Sequence, residues 1–146
     1  MMKTRLLLAL FATVTMSVSS GFAAETASAE AAYKDIEKTI GVVPSHFKRY
    51  PQSAVAGAWE MTKGLLMGET NSLEPKTKSL IAVAVAAQIP CQYCVWLETN
   101  SAKAAGATDA EVSEAVAQAA YVRHWSTVIH GLQIDFDTFK AEFGGE

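Results

Sequence analysis

The segment SLIAVAVAAQIPCQYC, residues 79–94, decides the fold of this chain. An apolar run, residues 79–89, leads through Pro90 into a Cys-x-x-Cys motif that holds both cysteines, Cys91 and Cys94. Alternation within the run is compatible with a strand, but its density of alanine favours a helix. The run is too short to span a membrane. A helix that is apolar on every side needs cover on every side, so we expect it in the centre of a helical core and at a subunit interface.

Helical spacing of apolar residues continues on both sides of this segment. Thr108 and Glu111 have the spacing of a capping box, which predicts the start of a helix. Internal repeats and glycine-rich phosphate loops are absent from the sequence, and no cofactor is expected. The fold class is therefore all-α, a single domain of about six to seven helices around a helix pair that carries the Cys-x-x-Cys. The helices are expected near residues 33–41, 44–50, 51–68, 74–89, 90–106, 108–131 and 132–143.

The N-terminus has the layout of a secretory signal peptide. Lys3 and Arg5 precede an apolar run, residues 6–18, and small residues follow it. We expect a signal peptide at 1–23, a linker at 24–32 and the helical domain at 33–146, with residues 27–29 as a second cleavage site. An uncleaved membrane anchor is the alternative. Cleavage predicts a periplasmic or secreted protein.

Charge and composition exclude several classes of partner. The 146 residues are half hydrophobic, and 12 basic residues face 15 acidic ones, for a net charge of −3. Loss of Lys3 and Arg5 would leave about −5 and no basic cluster. This balance argues against nucleic acid as a partner, and against a membrane after signal removal.

The cysteine pair is the first candidate for chemistry. Proline is favoured in the first turn of a helix, so Cys91 is expected near a helix N-terminus, where thiol pKa values fall from ~8.5 to as little as ~3.5–7.5. The pair can close a disulfide, or one thiol can attack and the other resolve. A purely structural disulfide is the alternative, although so small a loop constrains the unfolded chain little. Zinc is improbable because a second paired-ligand motif is missing.

The ordered set of motifs resembles the carboxymuconolactone decarboxylase / alkyl hydroperoxidase D-like family. The resemblance covers roughly residues 41–133 and rests on GVVP at 41–44, LEPKT at 73–77, CQYC at 91–94 and GATD at 106–109. It implies an alkyl hydroperoxidase D-like helical domain that assembles into trimers or hexamers. In the branch with cysteines, it implies reduction of hydroperoxides by the paired thiols, with Cys94 as peroxidatic thiol and Cys91 as resolving thiol that closes a Cys91–Cys94 disulfide. The expected partners are a small hydroperoxide or dithiol substrate and an unidentified reductant.

The sequence departs from the family at the proton relay. The family places a histidine four residues after the second cysteine and a glutamate twelve before the first; Glu98 and Ser79 stand there. A carboxylate beside Cys94 raises a thiol pKa, and a group of pKa ~4.3 is a poor base for a thiol near ~8.5. Glu98 and His124 are nevertheless the candidate relay residues. The plainer interpretation of His124 is a partly buried side chain that hydrogen-bonds a backbone carbonyl. Arg123 is a candidate partner of Glu98. The remaining histidines, His46 and His130, could also compensate for the missing relay.

Three function hypotheses follow from these residues. The first is a thiol-dependent antioxidant protein with peroxidase activity, or an exported thiol–disulfide oxidoreductase that uses the same pair. The second is a non-catalytic oligomeric scaffold or binding protein that has lost the relay. A decarboxylase acting on a lactone acid is a weaker third, because the acidic chain has no evident cationic pocket.

Overall fold

The computed structural model describes residues 20–145, with side chains from residue 28 onward. Within that range the chain forms helices and no strands, which confirms the all-α class. Most of the predicted signal peptide, residues 1–19, lies outside the described residues. None of the described helices has both the length and the apolarity needed to cross a membrane. The seven helices are α1 (Ser20–Ile40), α2 (Ser45–Arg49), α3 (Gln52–Met67), α4 (Pro75–Gln88), α5 (Gln92–Ala104), α6 (Asp109–Gly131) and α7 (Phe136–Glu142).

The chain divides into two compact units, one ending at Gly64 and the other beginning at Leu65. The first unit has a small apolar core in which Trp59 meets Phe47 edge-on, with ring centroids 5.8 Å apart. Residues 24–32, interpreted above as a linker, lie inside α1, because alanines on one face of that helix pack into this core. The core consists of Ala29, Ala32, Ile36, Phe47, Val55 and Trp59.

A carboxylate joins α1 to α3 within the first unit. Asp35 Oδ2 accepts hydrogen bonds from Trp59 Nε1 and Lys63 Nζ, each at 2.7 Å. The hydrogen bond from Lys63, followed by that from the indole, holds the pKa of Asp35 below its usual value. The buried indole N–H therefore has a partner, as a buried polar group requires.

In the second unit, α4 packs against both α5 and α6. Lys76 Nζ donates to Glu111 Oε1 at 2.8 Å, and Arg123 Nε donates to Gln88 Oε1 at 2.8 Å. Residues 76–88 of α4 and 111–123 of α6 span the same length, so these two bonds hold the helices parallel and in register. Three side chains are almost fully buried here: Val83, Ala86 and Ala102.

Two details differ from the sequence-based expectations. The apolar helix α4 is covered on only part of its surface, since Ile81 is 49% and Val85 53% exposed in the single chain. The last helix begins at Phe136 instead of residue 132. Gln133 adopts a positive φ of 54°, and the Asp135 side chain caps α7 by accepting from the Thr138 N–H at 2.8 Å. This local capping ends the preceding turn and starts the helix later.

Candidate functional site

The two cysteines form a disulfide at the start of α5. Their Sγ atoms are 2.05 Å apart and their Cα atoms 5.3 Å apart, and both residues are partly buried. The Cys91 N–H donates to the Ala86 carbonyl at 3.2 Å, which ties the motif to the end of α4. Cys91 lies at the helix start, as expected, but Pro90 is not in the first turn of the helix. Pro90 precedes the helix, and Cys91 is its N-cap residue.

The Cys91 sulfur serves as the cap of α5. It accepts a hydrogen bond from the Cys94 backbone N–H at 3.2 Å, the position that a serine or aspartate oxygen takes in an ordinary N-cap. The first turn of α5 contains no acidic residue. The unpaired N–H groups of the helix start therefore present their positive end to this sulfur without a neighbouring carboxylate to offset it.

Glu98 lies on the packed face of α5 together with Cys94. Cys94, Glu98 and Ala102 follow one another at four-residue intervals, and Ala102 is fully buried. Glu98 itself is partly buried and has no hydrogen-bond or ion-pair partner among residues 20–145. Ser79 is also partly buried, one turn before the buried Val83 on α4. Within the described chain, neither Glu98 nor Ser79 forms a hydrogen bond to a cysteine sulfur.

Arg123 forms a hydrogen bond with Gln88. The pairing of Arg123 with Glu98, which the sequence suggested, is not formed in the described chain. The Gln88 amide donates to the Ala119 carbonyl at 2.5 Å and accepts from Arg123 Nε, so it bridges α4 and α6. This bridge was missed at the sequence level, because it depends on how the two helices pack. Gln88 precedes Cys91 by one turn, and the bridge therefore anchors the end of α4 from which the motif emerges.

His124 lies near this end of α4 but makes no bond to the disulfide among the described residues. It lines a cleft of about 490 Å³ with Ala87 and Gln88, and its ring is edge-on to Trp125 at 5.2 Å. The imidazole is exposed and has no carbonyl partner in the described chain, so the partly buried, carbonyl-bonded interpretation is wrong. His46 stacks on Phe47 in the first unit, and His130 lines a separate cleft near the end of α6.

Exposed aromatic side chains lie at the start of α5, close in sequence to the two cysteines. Tyr93, between the cysteines, is 78% exposed, and Trp96 is 70% exposed one turn later. Both line a shallow cleft of about 410 Å³, and Trp96 also borders a second cleft with Pro90 and Gln92. From the sequence alone, Tyr93 beside the thiols has the best claim among the aromatic residues to shape a pocket, whereas Trp96 is assigned to the core or an interface. Its position three residues after Tyr93 on the same helix face was the signal for this second aromatic group.

The described residues contain no group of three or more His, Cys, Asp or Glu side chains arranged to hold a metal ion.

Comparisons with known proteins agree on one family and one fold. Residues 54–135 match the carboxymuconolactone decarboxylase family. Among solved structures, the chain is similar to the alkylhydroperoxidase AhpD core of Rhodospirillum rubrum, with a TM-score of 0.66 and 24% sequence identity. That similarity covers 86% of this chain and 95% of the other, and it shows a shared fold. No curated protein matches the chain.

Proposed function

Because the chain belongs to the carboxymuconolactone decarboxylase family, we propose that it is a thiol-dependent antioxidant protein that reduces hydroperoxides through Cys91 and Cys94. The observation that carries this proposal is the Cys91–Cys94 disulfide at the N-terminus of α5. The fold shared with a protein described as an alkylhydroperoxidase supports it. We place the activity among oxidoreductases that act on a peroxide as acceptor.

The reaction is a two-electron dithiol/disulfide cycle. One thiolate attacks the terminal oxygen of R–O–O–H, the O–O bond breaks, and a sulfenic acid and an alkoxide form; the alkoxide takes up a proton and leaves as an alcohol. The second thiol attacks the sulfenic sulfur, a disulfide forms, and water leaves. An external dithiol then reduces the disulfide and is itself oxidised. The family resemblance gives the attack to Cys94 and the resolving step to Cys91.

The surroundings of the pair support an organic hydroperoxide as substrate. Tyr93 and Trp96 provide exposed apolar surface at the start of α5, the helix that Cys91 caps. An alkyl or aryl group can lie against these rings, whereas hydrogen peroxide gains nothing from them. Glu98 and His124 remain the candidate relay residues, and because no base is bonded to either sulfur among the described residues, we expect a slow peroxidase.

Assembly and export belong to the same proposal. We infer a homo-oligomer, a trimer or hexamer, because α6 exposes large apolar side chains: Tyr121 is 58%, Val122 58% and Trp125 45% exposed. The sequence layout of residues 1–23 favours export to the periplasm or the exterior. In an oxidising compartment the pair tends to be oxidised, so turnover needs a dedicated reductant.

Peroxide consumption by the reduced protein tests the function. With dithiothreitol as reductant, we expect the full chain to consume cumene hydroperoxide faster than hydrogen peroxide, and faster than a Cys91→Ser/Cys94→Ser variant. The double variant is the matched control, because it removes both sulfur atoms and leaves the rest of the sequence and its net charge unchanged. Consumption no faster than that of the control would exclude the peroxidase.

The alternative of an exported thiol–disulfide oxidoreductase has its own support in the cap geometry of Cys91. A helix-start thiolate is the nucleophile that disulfide exchange requires. The same preparations, assayed with glutathione disulfide instead of peroxide, distinguish the two activities.

A further inference from the structure

The two sulfur atoms of the motif occupy electrostatically different positions. Cys91 Sγ faces the start of α5 and accepts the Cys94 N–H at 3.2 Å. After reduction, a Cys91 thiolate keeps this bond as a charge-assisted one, which is stronger than a bond to a neutral thiol. The helix N-terminus stabilises the same negative charge. Both effects favour ionisation of Cys91.

Cys94 lies inside the first turn and lacks these contacts. Its own N–H is already used by Cys91 Sγ, and Glu98 follows one turn later on the same face. A carboxylate at that spacing opposes a second negative charge on Cys94.

None of the cations on the packed helices forms an ion pair with this carboxylate in the described chain. Lys103 on α5 pairs with Asp109 at 2.6 Å, Lys76 pairs with Glu111, and Arg123 donates to Gln88. Lys78 on α4 donates to the backbone carbonyl of Leu65, a residue of α3. Glu98 therefore has no ion-pair partner in the described chain, and it lies one helical turn after Cys94 and not after Cys91.

We propose that Cys91, and not Cys94, is the attacking thiol of the pair. This reverses the roles that the family resemblance implies, and it rests on the proposed function only in that the pair cycles between dithiol and disulfide.

The exchange step balances within the pair and its substrate. The Cys91 thiolate attacks one sulfur of R–S–S–R, a mixed disulfide forms, and R–S⁻ leaves and takes up a proton. Cys94 then loses its proton and attacks Cys91 Sγ, which releases the second R–S⁻ and closes the Cys91–Cys94 disulfide. The substrate gains two electrons and the pair loses two, and an external dithiol restores the pair.

Two single variants of the reduced full chain test the assignment, with glutathione disulfide as probe. We expect Cys94→Ser to form a mixed disulfide with glutathione at least about threefold faster at pH 7 than Cys91→Ser, because a thiol pKa lower by one unit gives up to tenfold more thiolate of somewhat lower nucleophilicity. A rate for Cys91→Ser equal to or above that of Cys94→Ser overturns the proposal.

A measurement without variants covers the case in which one of them misfolds. Reduced wild-type protein is treated with less than one equivalent of iodoacetamide, and the labelled cysteine is identified by mass spectrometry of peptides. Label chiefly on Cys91 supports the proposal, and label chiefly on Cys94 or shared equally overturns it.

The peroxide assay separates this inference from the proposed function. If Cys91 is the faster thiol but no peroxide is consumed, the assignment stands and the peroxidase does not. If peroxide is consumed and the first sulfenic acid is trapped on Cys94, the peroxidase stands and the assignment is wrong.

Discussion

Glu98 follows Cys94 by one turn on the packed face of α5, the face that also carries the buried Ala102. It has no hydrogen-bond or ion-pair partner among residues 20–145. A histidine at the same place would carry positive charge at low pH and accept a proton near neutral pH. We therefore expect the residue at position 98 to influence the reactivity of Cys94.

Replacing Glu98 by histidine should activate Cys94. In a Cys91→Ser background, we expect Glu98→His to raise the alkylation rate of Cys94 at pH 7 by about threefold, because a carboxylate is replaced by an imidazole that is partly cationic at this pH and can accept the thiol proton. The rate is measured with iodoacetamide between pH 5 and 9. Glu114→His, at an exposed site on α6, is the matched control and should change nothing. An unchanged rate in Glu98→His would show that Glu98 does not act on Cys94.

At the level of elements, the start of α6 combines local and long-range contacts. Thr108 Oγ1 accepts from the Glu111 N–H at 3.1 Å, and Glu111 Oε2 accepts from the Thr108 N–H at 2.7 Å, which completes the capping box. The other carboxylate oxygen of Glu111 accepts from Lys76 on α4. One side chain therefore caps a helix and joins two helices.

The Glu111 contacts predict a pH dependence of stability. The hydrogen bond from Lys76, followed by those from Thr108, lowers the pKa of Glu111 from 4.5 to about 2. Since the folded-state pKa lies below the unfolded value, the stabilisation is complete above pH ~4.5 and is lost as the pH falls through about 2. We expect Glu111→Gln to flatten the pH dependence of the urea unfolding midpoint between these limits. Glu114→Gln is the control and should keep the wild-type slope, and a wild-type slope in Glu111→Gln would contradict the prediction.

The Thr108 cap can be tested separately from the charge. Thr108→Ala removes the hydroxyl that accepts the Glu111 N–H, and loss of such a cap costs about 1 kcal/mol in the free energy of unfolding. Urea titration at pH 7 measures this change. Thr127→Ala is the matched control, because its hydroxyl bonds only the Arg123 carbonyl within the same helix. Equal effects of the two substitutions would mean that the cap contributes nothing specific.

Local signals explain which elements the sequence predicted. The capping box at 108–111 and the stop at Gly106, where φ is +88°, need only neighbouring residues, and both were predicted correctly. Asp135 caps α7 through an equally local contact, but the helical spacing of apolar residues at 132–143 predicts an earlier start for this helix. The Gln88–Arg123 bridge and the exposed position of His124 depend on the packing of α4 against α6, which no short motif encodes. The cysteine pair was placed at a helix start, while its role as the cap itself became evident only from the backbone.

At the level of the whole molecule, the second unit leaves much apolar surface uncovered. An apolar cleft of about 540 Å³ lies between α4 and α6, and Ile81, Val85 and Val122 line it while each is about half exposed. Apolar surface of this kind marks an interaction site in a stable protein. A second copy of the chain is the cover that the proposed oligomer supplies.

A charge introduced into this cleft should break the oligomer without unfolding the chain. Val85→Lys places an ammonium at a site that is exposed in the single chain but apolar in its surroundings, so burying it in an interface costs several kcal/mol while the separate chain keeps the charge in water. We expect light scattering during size exclusion to give a trimer or hexamer for the wild type and a single chain for Val85→Lys, with the helical circular dichroism unchanged. Ser113→Lys, at an exposed position of α6 outside the cleft, adds the same charge and should keep the wild-type mass. A wild type that runs as a single chain at micromolar concentration would contradict the assembly, whereas a Val85→Lys variant with wild-type mass would place the interface elsewhere.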